Sequence, residues 1–207
     1  MIWSNYIPAD IQDLYDVHDF HHAAAVIANE FKTEFVDLCD ALRAFRFTVQ
    51  DVTESGGNES QIPKKFSSLL RPKGWKEEKL ESKVVVDARE IKHETHKVDY
   101  IKGRVAVDLE WNSKDQTFDR DLYAFRSFFD YDKISLGVLV TRSNELDPWI
   151  KDLGSYIDKN GTERKYKDKY GASTTHLGKL LPRLHDGRNG GCPVLVFGIT
   201  TKLLVKD

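Results

Sequence analysis

From His22 to Phe47 the apolar residues return as Val26, Ile27, Phe31, Phe35, Leu38, Leu42 and Phe45. Spacings of one, three and four put them on one side of a 3.6-residue turn, so this stretch predicts an amphipathic helix. Asp51 to Gln61 is polar and holds Gly56-Gly57-Asn58, the pattern of an exposed loop. Phe66 to Leu70 reads as a helix that ends near Pro72 and Gly74. Lys83 to Ala88 is β-branched and predicts a strand, followed by a charged run from Arg89 to Lys97. Val98 to Trp111 splits into two strand-like pieces around Lys102-Gly103, a hairpin signal. Phe118, Leu122, Phe125 and Phe129 share a helical face, and Ile134 to Val140 is the nearly continuous apolar run of a buried central strand. Helices at 147–158 and 176–184 and a last strand at 194–199 complete the series. Helix, strand, hairpin, helix, strand, helix, strand predicts an α/β (α+β) chain in which helices flank a mixed central sheet.

At 207 residues and 40% hydrophobic, the chain is long enough to bury a core of its own, and 1–207 is expected to form a single domain. No run of eighteen apolar residues occurs, and Met1-Ile2-Trp3-Ser4-Asn5 lacks the pattern of a signal peptide. A soluble, intracellular protein with no membrane partner is expected. Cys39 and Cys192 are too few for a disulfide framework or a Cys-based zinc site, and read as inert thiols. His18, His21 and His22 look like a metal cluster, but helical spacing aligns only His18 with His22 and no third ligand is evident. Gly187-Arg188-Asn189-Gly190-Gly191 is not a phosphate loop, since no Lys-Ser/Thr and no helix follow it.

Charge changes the picture through its distribution. The net charge is −2, yet residues 1–60 carry three basic and eleven acidic residues, and the remainder carries 28 and 22. An acidic, helical N-terminal part (1–60) would then stand beside a cationic part (61–207) able to face phosphates, although two differently solvated surfaces would give the same split. Between Gly161 and Arg188, seven basic residues stand against three acidic ones, the best phosphate-contact segment in the chain.

The chemistry concentrates between Val98 and Asp115. On a strand, Asp108 and Glu110 project from one face while Val107 and Leu109 take the other. A hairpin turning at Lys102-Gly103 lets Asp99 approach the same face. Three converging carboxylates repel one another unless a divalent cation lies between them, and hard oxygen ligands suit Mg²⁺. The same alternation would arise if Asp108 and Glu110 only lined the exposed face of an amphipathic edge strand.

An Asp followed nine residues later by acid-x-Glu on the next strand resembles the PD-(D/E)xK nuclease core. The stretch Val98-Asp99-Tyr100-Ile101-Lys102-Gly103-Arg104-Val105-Ala106-Val107-Asp108-Leu109-Glu110-Trp111 is similar to the BglII/BstYI family of type II restriction endonucleases. So are Asp132 to Val138, Gly187-Arg188 followed by Pro193 to Ile199, and Pro72-Lys73-Gly74-Trp75-Lys76. These pieces span about two thirds of the chain in order, and residues 1–60 carry no specific match. Glu110 departs from the Lys of most of the superfamily and from the Gln of the nearer relatives, and is similar to the BamHI variant of the site.

The resemblance implies a restriction-endonuclease-like core and a Mg²⁺-dependent enzyme that cuts both strands of double-stranded DNA at a short palindromic site. It also implies a homodimer in the prokaryotic cytoplasm; the acidic helix His22–Phe47, with its row of Phe and Leu, is a candidate interface. Asp99 and Asp108 become the expected metal ligands and catalytic residues, and Glu110 the general base or water-orienting group. Glu78 is the best match for a further polar residue of the site. Asn112 and Ser113 take the place where the family reaches base edges. Lys114, Arg120 and Arg188 complete the expected DNA contacts. A DNA-binding protein of this fold that has lost activity, and a structure-selective repair nuclease, are the alternatives.

Overall fold

The structure, a computed structural model, describes residues 2–54, 60–158 and 160–205. Gly56-Gly57-Asn58 lies outside the described residues. The strands are β1 (Tyr15–Phe20), β2 (Lys76–Val86), β3 (Arg89–Lys102), β4 (Val105–Glu110), β5 (Leu136–Arg142), β6 (Ser155–Ile157), β7 (Glu163–Lys165) and β8 (Val194–Ile199). The helices are α1 (Ala9–Leu14), α2 (Ala23–Glu30), α3 (Lys32–Ala44), α4 (Val49–Thr53), α5 (Gln61–Leu70), α6 (Thr117–Asp130), α7 (Leu146–Asp152), α8 (Tyr166–Lys169) and α9 (Leu177–His185). Among the described residues the main sheet is six-stranded, in the order β1-β8-β5-β4-β3-β2, and β6 pairs with β7 apart from it. β4, β5 and β8 run parallel, while β1, β3 and β2 join antiparallel. This is the expected mixed sheet flanked by helices.

The parallel centre follows from composition. Every residue of β5 and β8 is buried, as strands covered on both faces require. On β4 the faces separate. Val105, Val107 and Leu109 join the larger core with Leu38, Leu42, Phe66 and Phe197, whereas Ala106 packs with Phe118, Leu122 and Phe125 of α6 and with α9. A Cβ at Gly137 of β5 would run into the Phe125 ring, so this glycine lets α6 lie close on the sheet. Asp108 and Glu110 share the face of Ala106 and therefore turn toward α6.

The long N-terminal helix is two helices. Phe31 leaves helical geometry (φ −122°, ψ 54°), so that α2 ends and α3 begins there. The apolar spacing continues across the break because Ala24 and Ile27 on one helix and Leu38 and Leu42 on the other reach the same core. That use of the apolar row narrows the candidate dimer face. Leu38, Leu42 and Phe45 are fully buried in the protein's own core and offer nothing to a partner. The helix expected over 147–158 stops at Asp152, and the charged run Arg89–Lys97 is part of β3. β2 and β3 are joined by Asp87-Ala88, both with positive φ (45° and 65°), the left-handed pair of a two-residue hairpin turn.

Candidate active site

The β3–β4 ladder pairs Lys102 with Val105, Ile101 with Ala106 and Tyr100 with Val107, and then stops. The next residues in register are Asp99 and Asp108, and here side chains replace the ladder. The Asp99 backbone N–H donates to Asp108 Oδ1 at 2.6 Å, and the Leu109 N–H donates to Asp99 Oδ2 at 3.2 Å. Two acids are thus fixed where the strands part, at the cost of two mutually repelling groups side by side.

Asp108 is 2% exposed, and its Oδ2 is buried without a hydrogen-bond partner among the described residues. β4 lies between β3 and β5, so the exposed edge-strand reading of Asp108 and Glu110 is wrong. Burial holds the Asp108 carboxyl well above the usual range, reinforced by the Asp99 and Glu110 charges and opposed by the Asp99 N–H. Glu110 is pushed up to about 7 by burial, with Asp99 adding to the rise and the Ser113 side chain and the Arg120 charge opposing it.

Asp121 is not among the site residues expected from the sequence. It is buried on α6, its Oδ2 has no hydrogen-bond partner among the described residues, and burial followed by the Asp108, Glu110 and Asp99 charges raises its pKa well above 3.8. The signal was present: Asp121 stands three residues after Phe118 and four before Phe125, on the buried face of its helix. Among the described residues no three His, Cys, Asp or Glu side chains are arranged as a ready metal cage.

A cleft of about 820 Å³ opens at this place, lined by Asp99, Glu110, Asn112 and Ser113 from β3, β4 and the turn beyond, and by Arg71, Glu77 and Lys169 among others. The turn is held from behind. Asp115 N–H donates to Ser173 O and Thr175 N–H to Ser113 O, both at 2.9 Å. Arg142, wholly buried, donates from Nε to Trp111 O (3.1 Å) and from Nη2 to Thr174 Oγ1 (2.7 Å). Asn112 Oδ1 is buried without a hydrogen-bond partner among the described residues.

The other expected residues divide. Glu78 is turned to Lys133 (2.7 Å) and Lys76 (3.5 Å), and those cations hold its carboxyl below the usual range. It is Glu77, not Glu78, that lines the cleft, with its own partner in Lys97 at 2.7 Å. Lys114 is exposed and forms a backbone bridge with Thr174. Arg120 donates to Thr117 Oγ1 at 3.2 Å and lowers the pKa values of Glu110 and Asp121 by its charge. Arg188 reaches Asp119 Oδ1 at 2.5 Å, where Arg183 also binds, so it is tied into an ion-pair network outside the cleft lining.

The family model described as Restriction endonuclease BglII/BglIII matches residues 15–199. The chain belongs to this restriction endonuclease family. No individual curated protein matches it. The limits of the BglII/BglIII match are themselves structural, since Tyr15 and Ile199 face each other in the β1–β8 ladder. Most of the acidic N-terminal part, for which no resemblance was evident, lies within the matched span and supplies a sheet strand. The six-stranded mixed sheet with its flanking helices is consistent with the restriction-endonuclease-like fold.

Proposed function

We propose that this BglII-family chain hydrolyses phosphodiester bonds in both strands of double-stranded DNA at a short palindromic site, with Mg²⁺, as a type II enzyme. The observation that carries the reading is the unpartnered, buried Oδ2 of Asp108 beside Asp99 and Glu110 at the end of a wide cleft. A buried carboxylate oxygen with no donor is costly unless a cation completes it. Asp99 and Asp108 would hold Mg²⁺, which accepts one or two carboxylates and fills its remaining positions with water and phosphate. When bound, the ion polarises the phosphate and lowers the pKa of a water.

Glu110, with a carboxyl near 7, is suited to accept a proton from the attacking water at neutral pH. The Ser113 side chain opposes the rise in the Glu110 pKa and so favours the charged carboxylate. Asn112 lines the cleft beside them, where an amide side chain suits contact with a base edge. We read residues 1–207 as one domain, because β1 near one end of the chain closes the sheet against β8 near the other.

One such site reaches one scissile phosphate, so cutting both strands calls for two, and a two-fold DNA site is met by a two-fold homodimer. Light scattering with and without duplex DNA is expected to give a dimer; a monomer that still breaks both strands in one encounter would remove this part of the reading. We also read the protein as cytoplasmic; among the described residues no helix is long and apolar enough to cross a membrane. The reading as a whole is tested by digestion of unmodified plasmid with Mg²⁺, which should give discrete bands. Binding without cleavage would favour an inactive DNA-binding protein, and cleavage only at branched or damaged DNA a repair nuclease.

A further inference from the structure

The cleft is an unfavourable place for a phosphate. Among the described residues, Asp51, Glu54, Glu77, Asp99 and Glu110 line it, against two cationic side chains, Arg71 and Lys169. Lys169 is committed elsewhere: its Nζ donates to Val52 O and Glu54 O and lies 5.5 Å from the Tyr170 ring centroid. Burial also pulls its pKa below the usual lysine value.

Arg71 differs on each count. It sits at the end of α5, its side chain is exposed to the cleft, and no carboxylate among the described residues forms an ion pair with it. Its guanidinium carbon lies 4.9 Å from the ring centroid of Tyr100, the residue after Asp99. An aromatic face supports the guanidinium plane while leaving its edge N–H groups to bind in that plane, and such a fork matches two phosphate oxygens. Its charge is already felt within the site, where it helps to lower the Glu77 pKa.

Resting on the nuclease reading, we propose that Arg71, stacked on Tyr100, binds the DNA phosphate that enters the cleft and offsets the negative charge that builds on it during hydrolysis. A phosphate-binding side chain of this cleft then comes from the helix wall rather than from β4.

Arg71→Ala, Arg71→Met and Arg71→Lys would be compared with the parent for cleavage of plasmid DNA in Mg²⁺. Binding of a fluorescent duplex, cut from plasmid that the parent cleaves, would be followed across salt concentration, together with thermal midpoints. Arg71→Ala and Arg71→Met are expected to cut roughly 10²–10³-fold more slowly, the loss typical of one charge-stabilising donor. Their salt-dependence slope should fall by roughly 0.9, one phosphate contact. Arg71→Lys should recover part of both, and all three should melt with the parent. An unchanged slope in Arg71→Ala, or an Arg71→Met that restores activity by covering Tyr100 without a charge, overturns the inference while the nuclease reading stands. A parent that neither cuts nor binds duplex DNA overturns both.

Discussion

The backbone N–H of Asp99 is held by the Asp108 carboxylate at 2.6 Å, and Asp99 in turn holds the N–H of Leu109, the residue after Asp108. Each acid therefore uses one oxygen to splice β3 to β4 beyond the last ladder pair. The two roles of these residues, joining strands and presenting oxygens, can be separated by mutation.

Asp108→Asn keeps an acceptor for the Asp99 N–H and removes a buried charge, so without metal it should fold at least as stably as the parent. Asp99→Ala leaves the Leu109 N–H without its acceptor and should lose about 1–3 kcal/mol, the usual cost of an orphaned buried donor. Both should lose cleavage. Urea unfolding checks the contrast; equal destabilisation by the two substitutions would contradict the splice.

Asp108, Glu110 and Asp121 all bind protons more tightly in the folded chain than in the unfolded one. Stability from such groups is complete below the unfolded carboxylate range and is lost as pH rises through the folded values. For Glu110 that window runs from 4.5 to about 7. In EDTA the thermal midpoint should therefore fall between about pH 5 and pH 7.5, a window set by these shifts, and Asp121→Asn should flatten the fall. A midpoint that rises over this window, in parent and variant alike, would mean that the cluster does not carry the repulsion.

Much of this was legible in the chain. Hydrophobic runs located β5 and β8 because both faces of those strands are covered, and the acid spacing located the hairpin end. What escaped notice had no periodic signature. Asp87-Ala88 makes a tight turn without the usual glycine, so the charged run beyond it did not read as a strand. Glu77 and Glu78 are neighbours, and which of them lines the cleft follows from how β2 pairs with β3, irregularly between Lys76 and Glu78, which local sequence does not encode. Asp121 was readable as a carboxylate on an apolar helix face, but only once α6 was known to lie over Asp108.

Glu110 separates two mechanisms. As the proton acceptor, Glu110→Gln should cut roughly 10²–10⁴-fold more slowly, and its pH–rate profile should lose the limb near pH 7. Extra Mg²⁺ should not help. As a ligand of a second ion, the variant should instead need more Mg²⁺ and recover when it is supplied. We favour the proton acceptor, since a carboxyl pushed up to about 7 is suited to take up a proton at neutral pH. Rates measured across Mg²⁺ concentration and pH decide between the two, and parental rates throughout would leave Glu110 without a role.

The most direct test is a digest of unmodified plasmid by the parent and by Asp108→Asn, with Mg²⁺ and with EDTA, alongside binding of the same DNA by both proteins. The account predicts discrete double-strand fragments from the parent with Mg²⁺ alone, and no cleavage by Asp108→Asn although it binds the DNA as well or better. Parental cleavage in EDTA, or near-parental cleavage by Asp108→Asn, would contradict it.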